Sequence, residues 1–154
     1  MKRKICSCLI AFIMLTSCIF ASGCGRRNAE PEQVVTLKTD SWIMDNYMQG
    51  IEEYDNVVYE QVYFDHGERS IGPTESRFRG VVYLTEDEAL SLTESYEWEE
   101  VQTTEFEFEQ ITSDDLGEGP WYSSTEFNKD NFNAVIVNYV VFDGERIVFD
   151  ISQI

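Results

Sequence analysis

The chain has 154 residues, 29 of them acidic against 11 basic, for a formal net charge of −18, and 43% are hydrophobic. Nucleic-acid binding depends on Lys and Arg neutralising phosphates, so this balance argues strongly against it, and direct adhesion to an anionic membrane surface is disfavoured for the same reason. Cationic, neutral or divalent-metal species are the partners left by charge, although abundant acid also simply keeps an exposed protein soluble.

The chain opens with Lys2, Arg3 and Lys4, followed by an apolar run from Ile5 to Ala21 broken only by Ser7, Thr16 and Ser17 among its weakly polar positions. Small residues and a cysteine follow, Ala21-Ser22-Gly23-Cys24, and polarity begins at once with Gly25-Arg26-Arg27-Asn28. A basic start, an apolar middle and a small-residue end are the parts of a secretory signal. The run is slightly short for a membrane-spanning helix, which needs about 20 apolar residues.

The Ala-Ser-Gly-Cys ending resembles the lipobox of bacterial prolipoproteins. The resemblance covers only residues 1–24. It implies that residues 1–23 are removed as a signal peptide, that the Cys24 sulfur carries a diacylglycerol, and that the new amino terminus is often acylated. Leu15-Thr16-Ser17-Cys18 fits the same box and makes Cys18 a rival. Cleavage there would leave Ile19 and Phe20 as an apolar stub, whereas the polar tether starts directly after Cys24. Two or three acyl chains would hold the protein at the membrane firmly, because one alone binds marginally.

All four cysteines lie inside this leader, so the body has no disulfide whatever the redox state outside the cell. Without Lys2, Arg3 and Lys4 the formal charge of the remainder is 8 − 29 = −21. Residues 24–33, polar and containing Pro31, read as the acylated cysteine and a flexible tether. Residues 34–154 then form one domain by length.

Within that domain, 34–38 reads as a short strand. Asp40 or Ser41 caps a helix running toward Tyr54, with Ile43, Tyr47, Ile51 and Tyr54 at helical spacing and Gly50 weakening it. A strand is expected over 57–64, then a loop over 65–76 punctuated by Gly67, Gly72 and Pro73. Over 77–84 the pattern alternates: Phe78, Gly80, Val82 and Leu84 share one face, and Arg77, Arg79, Val81 and Tyr83 the other. The two strands are expected to pair as an antiparallel hairpin.

Thr85 and Glu88 form the sequence of a capping box, with Leu84 stapling onto Ala89, and open a helix that ends near Trp98. Thr103 to Ile111 contains Glu105-Phe106-Glu107-Phe108-Glu109, a period-two pattern that predicts a half-buried strand with its glutamates on one face. A loop over 114–120 and a short helical turn within 121–132 follow. Ala134 to Phe142 is apolar on both faces apart from Asn138 and reads as a central strand. Asp143-Gly144 makes a hairpin turn into a last strand with Ile147, Phe149 and Ile151 facing in. The expected class is α+β: a small antiparallel sheet with one or two helices packed on a face.

His66 is the only histidine. It excludes a His-His metal pair, and it lies in a Gly-punctuated stretch suited to an exposed loop. No G-x-S-x-G elbow, P-loop or dinucleotide fingerprint occurs. Two oxygen-rich stretches, Asp114, Asp115 and Glu118 on one loop and Asn128, Asp130, Asn131 and Asn133 on another, have a density that suits Ca²⁺, though neither follows EF-hand spacing. Acids in water are the commoner use of such loops, and no cofactor is expected beyond that ion. Trp98, Trp121 and Tyr122 lie in or beside loops and are the candidate ligand-contact aromatics. The body is also similar to small uncharacterised lipoproteins of low-GC Gram-positive bacteria, through Gly72-Pro73-Thr74, Tyr83-Leu84-Thr85, Tyr96-Glu97-Trp98 and Gly119-Pro120-Trp121-Tyr122. That resemblance implies no activity and carries over no binding or catalytic residue.

Two functional expectations follow. One is a lipid-anchored binding or interaction domain at the outer face of the cytoplasmic membrane, meeting an envelope protein or glycan. The alternative is an envelope hydrolase using paired carboxylates, with Ca²⁺ as an aid, which requires two acids converging in one pocket near His66 or Arg77.

Overall fold

The computed structural model describes residues 32–65, 75–102, 105–132 and 134–153. The leader, Cys18, Cys24, the tether before Glu32, and the loop carrying His66 lie outside the described residues. Among the described residues, seven antiparallel strands form one sheet in the order β1-β2-β3-β7-β6-β5-β4. They are β1 Glu32–Lys38, β2 Tyr54–Asp65, β3 Ser76–Leu84, β4 Glu99–Val101, β5 Trp121–Ser123, β6 Ile136–Phe142 and β7 Arg146–Gln153. Among the same residues, four helices interleave with them: α1 Trp42–Tyr47, α2 Glu86–Ser95, α3 Ser113–Leu116 and α4 Thr125–Asn131. The α+β class holds, with more strands and helices than a small sheet with one or two helices.

The two faces of the sheet are covered differently. On one, Tyr59, Phe78, Val82, Ile147, Phe149 and Ile151 pack against Ile43 and Met44 of α1, Ala89 and Leu92 of α2 and Phe127 of α4. On the other, Val81, Val141 and Val148 are covered by residues from 105–116, including Phe106, Phe108, Ile111 and Leu116. The alternation expected for β3 is therefore realised, and β6 and β7 are apolar on both faces because both faces are covered.

Helix α2 starts where Thr85 places it, with the Glu88 N–H donating to Thr85 Oγ1 at 3.3 Å. The reciprocal half of the box is absent, since Glu88 Oε1 accepts from the Glu52 N–H instead. Helix α2 stops at Ser95, and Trp98 instead donates its indole N–H to the Leu92 carbonyl at 3.0 Å. At Thr112 and Asp115, Asp115 Oδ2 accepts from the Thr112 N–H at 3.0 Å and from the Thr112 hydroxyl at 2.7 Å, opening α3 at Ser113, which runs into the expected 114–120 loop.

Further expectations are corrected. The first helix ends at Tyr47 rather than approaching Tyr54, which begins β2. Ile51 is buried beside the helix without belonging to it, so its spacing matched a helix that the chain had already left. Gly50 lies just past the break against Asn131, where an added Cβ would lie 1.9 Å from Oδ1. The strand begins at Glu32, which takes Glu32 and Gln33 out of the tether. Residues 121–132 hold both β5 and a two-turn helix, α4, whose Ser124 caps Phe127 N–H at 3.3 Å.

The last correction concerns 105–111. Glu105, Glu107 and Glu109 are exposed, and Phe106 and Phe108 are half-buried, so the alternation is real. Yet residues 105–112 belong to no strand. The segment packs on a face of the sheet, so period two here reflects packing without pairing. Three of its backbone N–H groups, those of residues 109–111, are satisfied by a side chain of β2.

Candidate functional site

That side chain is Glu60. Its parity on β2, between Val58 and Val62, turns it toward the face covered by 105–111, and its exposure is 0%. Glu60 Oε1 accepts the backbone N–H groups of Glu109 at 2.8 Å, Ile111 at 3.0 Å and Gln110 between them. Glu60 Oε2 accepts from Arg79 Nε at 2.7 Å. Three successive amides make a concave anion cradle, filled here by a carboxylate of the same chain. Burial alone would raise the carboxyl pKa, but the amides of Gln110, Ile111 and Glu109 and the Arg79 guanidinium outweigh it and hold Glu60 below the usual range.

Strand register extends this pair into a row across the sheet. Glu60 stands opposite Arg79, Arg79 opposite Asp150, and Asp150 opposite Tyr139. The next row on that face is Val62, Arg77, Ser152 and Ile136, while the preceding one is Val58, Val81, Val148 and Val141. One end of the face is thus apolar and covered, and the other is charged.

Asp150, also 0% exposed, is gripped by Arg77 from the diagonal position. Arg77 Nε lies 2.8 and 2.9 Å from its two oxygens, and Nη2 also donates to Oδ2. Asn138 Nδ2 donates to Asp150 Oδ1 at 2.8 Å and to Ser152 Oγ at 3.0 Å. Asn138 is the extra residue of a bulge between Val137 and Tyr139, which explains how one polar residue in an apolar strand finds the site. The Asp150 hydrogen bonds and charge hold Arg77 above its ordinary pKa. The Tyr139 hydroxyl is buried without a hydrogen-bond partner among the described residues, and burial, then the Asp150 charge, push its pKa up.

Beside these pairs lies a groove of about 650 Å³. Its floor includes Val62, Arg77 and Arg79 of the sheet; Glu107, Phe108 and Glu109 of the crossing segment form one side. Phe64 and Ile136 line it too, 41% and 47% exposed. Glu109 Oε1 accepts from Gln33 Nε2 at 2.8 Å, and Gln110 Nε2 donates to the Val35 carbonyl at 3.0 Å, so the segment is tied to β1 as well.

Arg77 is the one residue singled out from sequence that the described groove contains; the aromatic and oxygen-rich candidates sit elsewhere. Trp98 packs against Phe127 and Phe142 on the helix-covered face, with ring centroids 5.2 and 4.8 Å away. Trp121 packs edge-on against Phe106 on the opposite face, at 5.2 Å. Tyr122 pairs through its backbone with Glu100 and Phe142. The two tryptophans are therefore separated by the sheet. Asp115 serves the α3 capping box, while Asp114 and Glu118 are exposed. Asn128, Asp130 and Asn131 lie on helix α4 rather than on a loop, and Asn131 Nδ2 donates to the Phe127 carbonyl at 3.0 Å; Asn133 lies outside the described residues. Among the described residues no group of three or more His, Cys, Asp or Glu side chains is arranged to hold a metal ion.

Sequence reading passed over Glu60 and Asp150. The available signal was charge at an inward-facing position of a strand, with valines two residues away: Val58-x-Glu60-x-Val62, and Val148-x-Asp150. No protein-family model, curated protein or solved structure matches the chain.

Proposed function

We propose that the chain is an exported, lipid-anchored binding domain, held through Cys24 at the outer face of the cytoplasmic membrane, with the groove over β2, β3 and β7 as its ligand-contacting surface. One observation carries the binding half of this reading. The groove is preformed, and the guanidiniums on its floor are locked from beneath: Arg79 by Glu60, which also holds three amides, and Arg77 by Asp150, which also holds Asn138. Such fixed polar groups beside an apolar wall suit recognition, because little ordering remains to be done when a ligand arrives. The anchor rests on the leader sequence alone. The intact mass of membrane-extracted protein, with and without inhibition of the lipoprotein signal peptidase, tests it: the mature mass must begin at an acylated Cys24. A mass beginning at Cys18, or an unmodified leader, removes that part of the reading.

A second reading, the carboxylate hydrolase, is favoured by one observation. Asp150 and Glu107 converge on Arg77 at the groove, with Glu107 Oε2 3.6 Å from Arg77 Nη2. Against it, both Asp150 oxygens are already hydrogen-bonded and Glu107 is largely in water, whereas acid–base work calls for a carboxyl within reach of a substrate proton. Incubating the full chain with purified cell-wall glycan strands, with and without Ca²⁺, decides between them. Turnover abolished by Glu107→Gln would replace the binding reading with the hydrolytic one.

A further inference from the structure

We infer that the groove takes a short extended peptide in which basic side chains alternate with apolar ones, a reading that rests on the groove being the binding surface. The first argument is charge. Among the described residues, Arg77 and Arg79 are the basic ones lining the groove, and each is opposed by a buried carboxylate, Asp150 and Glu60 respectively. In net charge these two pairs cancel. Among the described lining residues the excess is that of the rim, Glu75, Glu107 and Glu109, of which Glu107 lies 3.6 Å from Arg77 and Glu109 3.4 Å from Arg79 while both stay exposed. An anionic ligand would meet that rim with its guanidinium partners already taken, whereas a cationic one replaces water around exposed carboxylates.

The second argument is spacing. Glu107 and Glu109 are exposed on either side of half-buried Phe108, so two carboxylates alternate with one apolar side chain along the segment. An extended peptide presents its side chains with the same two-residue period, every second one about 7 Å apart. Basic residues at positions i and i+2 would meet the two carboxylates. The intervening side chains would face the sheet, where Val62, Phe64 and Ile136 offer apolar surface. A flexible polyamine would match the charge but not this alternation.

The test is a titration of isotope-labelled full chain in detergent at physiological salt, following the backbone amides of Val62, Arg77 and Ser152. The probes are blocked pentapeptides of sequence Lys-Leu-Lys-Leu-Lys, Lys-Ser-Lys-Ser-Lys, Ser-Leu-Ser-Leu-Ser and Glu-Leu-Glu-Leu-Glu. The first is expected to move those amides and to bind more tightly than the other three. The combined Glu75→Gln, Glu107→Gln and Glu109→Gln variant should weaken it about tenfold. A charge-matched control, Glu97→Gln, Glu99→Gln and Glu126→Gln, should leave affinity within about twofold, since those carboxylates line a different hollow. Equal losses in both variants, or equal binding of the Lys-Ser peptide, would reduce the effect to general attraction by a −21 domain and overturn the inference. Tighter binding of the serine or glutamate peptide at the same amides would also overturn it, while leaving the groove a binding surface. Silence of these amides toward every probe would overturn the inference and the groove reading together.

Discussion

Glu60 and Arg79 stand directly opposite each other on β2 and β3 and close at 2.7 Å with both side chains out of water. The pair is asymmetric. Arg79 has a second, looser carboxylate in Glu109 at 3.4 Å, whereas Glu60 also holds three backbone amides of the segment that covers the face. Removing one member of a buried pair costs about 3–5 kcal/mol, because the other charge stays buried and uncompensated. Glu60→Met should therefore destabilise by at least that much, with the three orphaned amides adding to it. Arg79→Met should cost less than Glu60→Met. Urea unfolding of the three proteins measures the order, and the reverse order would refute the cradle as the anchor of 105–111.

The same carboxylate sets an acid dependence. Its pKa is lowered in the folded chain, so its contribution is fully present above the unfolded value of about 4.3 and is lost as pH falls through the folded value. Thermal unfolding midpoints should thus fall below roughly pH 4.5. Glu60→Gln, which cannot titrate, should start lower and show a shallower fall. An acid slope unchanged by the substitution would assign the dependence to other carboxylates, such as Asp115, also held low by Thr112.

Arg77 and Asp150 offer a milder contrast, because Asp150 is buried while Arg77 keeps about a third of its side chain in water. Asp150→Asn should cost roughly 2–4 kcal/mol, since it leaves Arg77 without its partner and places an amide N–H₂ where an acceptor was. Arg77→Lys should cost less but still lose the two-pronged grip that only a guanidinium makes. Denaturant midpoints check both, and an Arg77→Lys loss equal to that of Asp150→Asn would count against the buried carboxylate as the dominant member.

Gly80 tests the close approach of β2 and β3. A Cβ there would lie 2.4 Å from the Val58 carbonyl oxygen and 2.7 Å from the Tyr59 Cα, both backbone atoms that cannot step aside. Gly80→Ala should cost more than about 2 kcal/mol through overpacking, or prevent folding. Gly144→Ala, where nothing lies within 4 Å but φ is +98°, should show only the backbone penalty of about 1 kcal/mol. Circular dichroism melts of the two variants make the comparison.

Helix starts give the smallest and most local prediction. Thr85→Ala removes a side-chain acceptor from the first turn of α2, and Thr112→Ala the hydroxyl that donates to Asp115 Oδ2; each should cost about 1 kcal/mol. A loss near zero at Thr112 would mean that α3 is held by Leu116 against the sheet rather than by its cap.

Local rules made much of the sheet legible. Alternation placed Phe78, Val82 and Leu84 on one face of β3 and Val81 and Tyr83 on the other. Thr85 marked a helix start, and Asp143 with Gly144 marked the last hairpin, where Asp143 Oδ1 accepts the N–H groups of Glu145 and Arg146 at 2.9 and 2.7 Å. These features involve residues within a few positions of each other, so the sequence carries them directly. The helical spacing that runs on to Ile51 reflects burial for a tertiary reason, and α3 is a single turn too short to show a periodicity.

By itself, then, the sequence determined the α+β class, the strongly acidic surface, the cysteine-free body and the parity of side chains along β3 and β7. Only the tertiary structure decided what that parity was for. Glu60, Arg79 and Asp150 are 19 and 71 positions apart along the chain and become neighbours through strand order alone. The alternating stretch 105–109 looked like a strand because packing on a sheet and pairing within one impose the same period of two. Which of the two occurred depended on where its amides found an acceptor, and that acceptor was a carboxylate about 50 residues earlier in the chain.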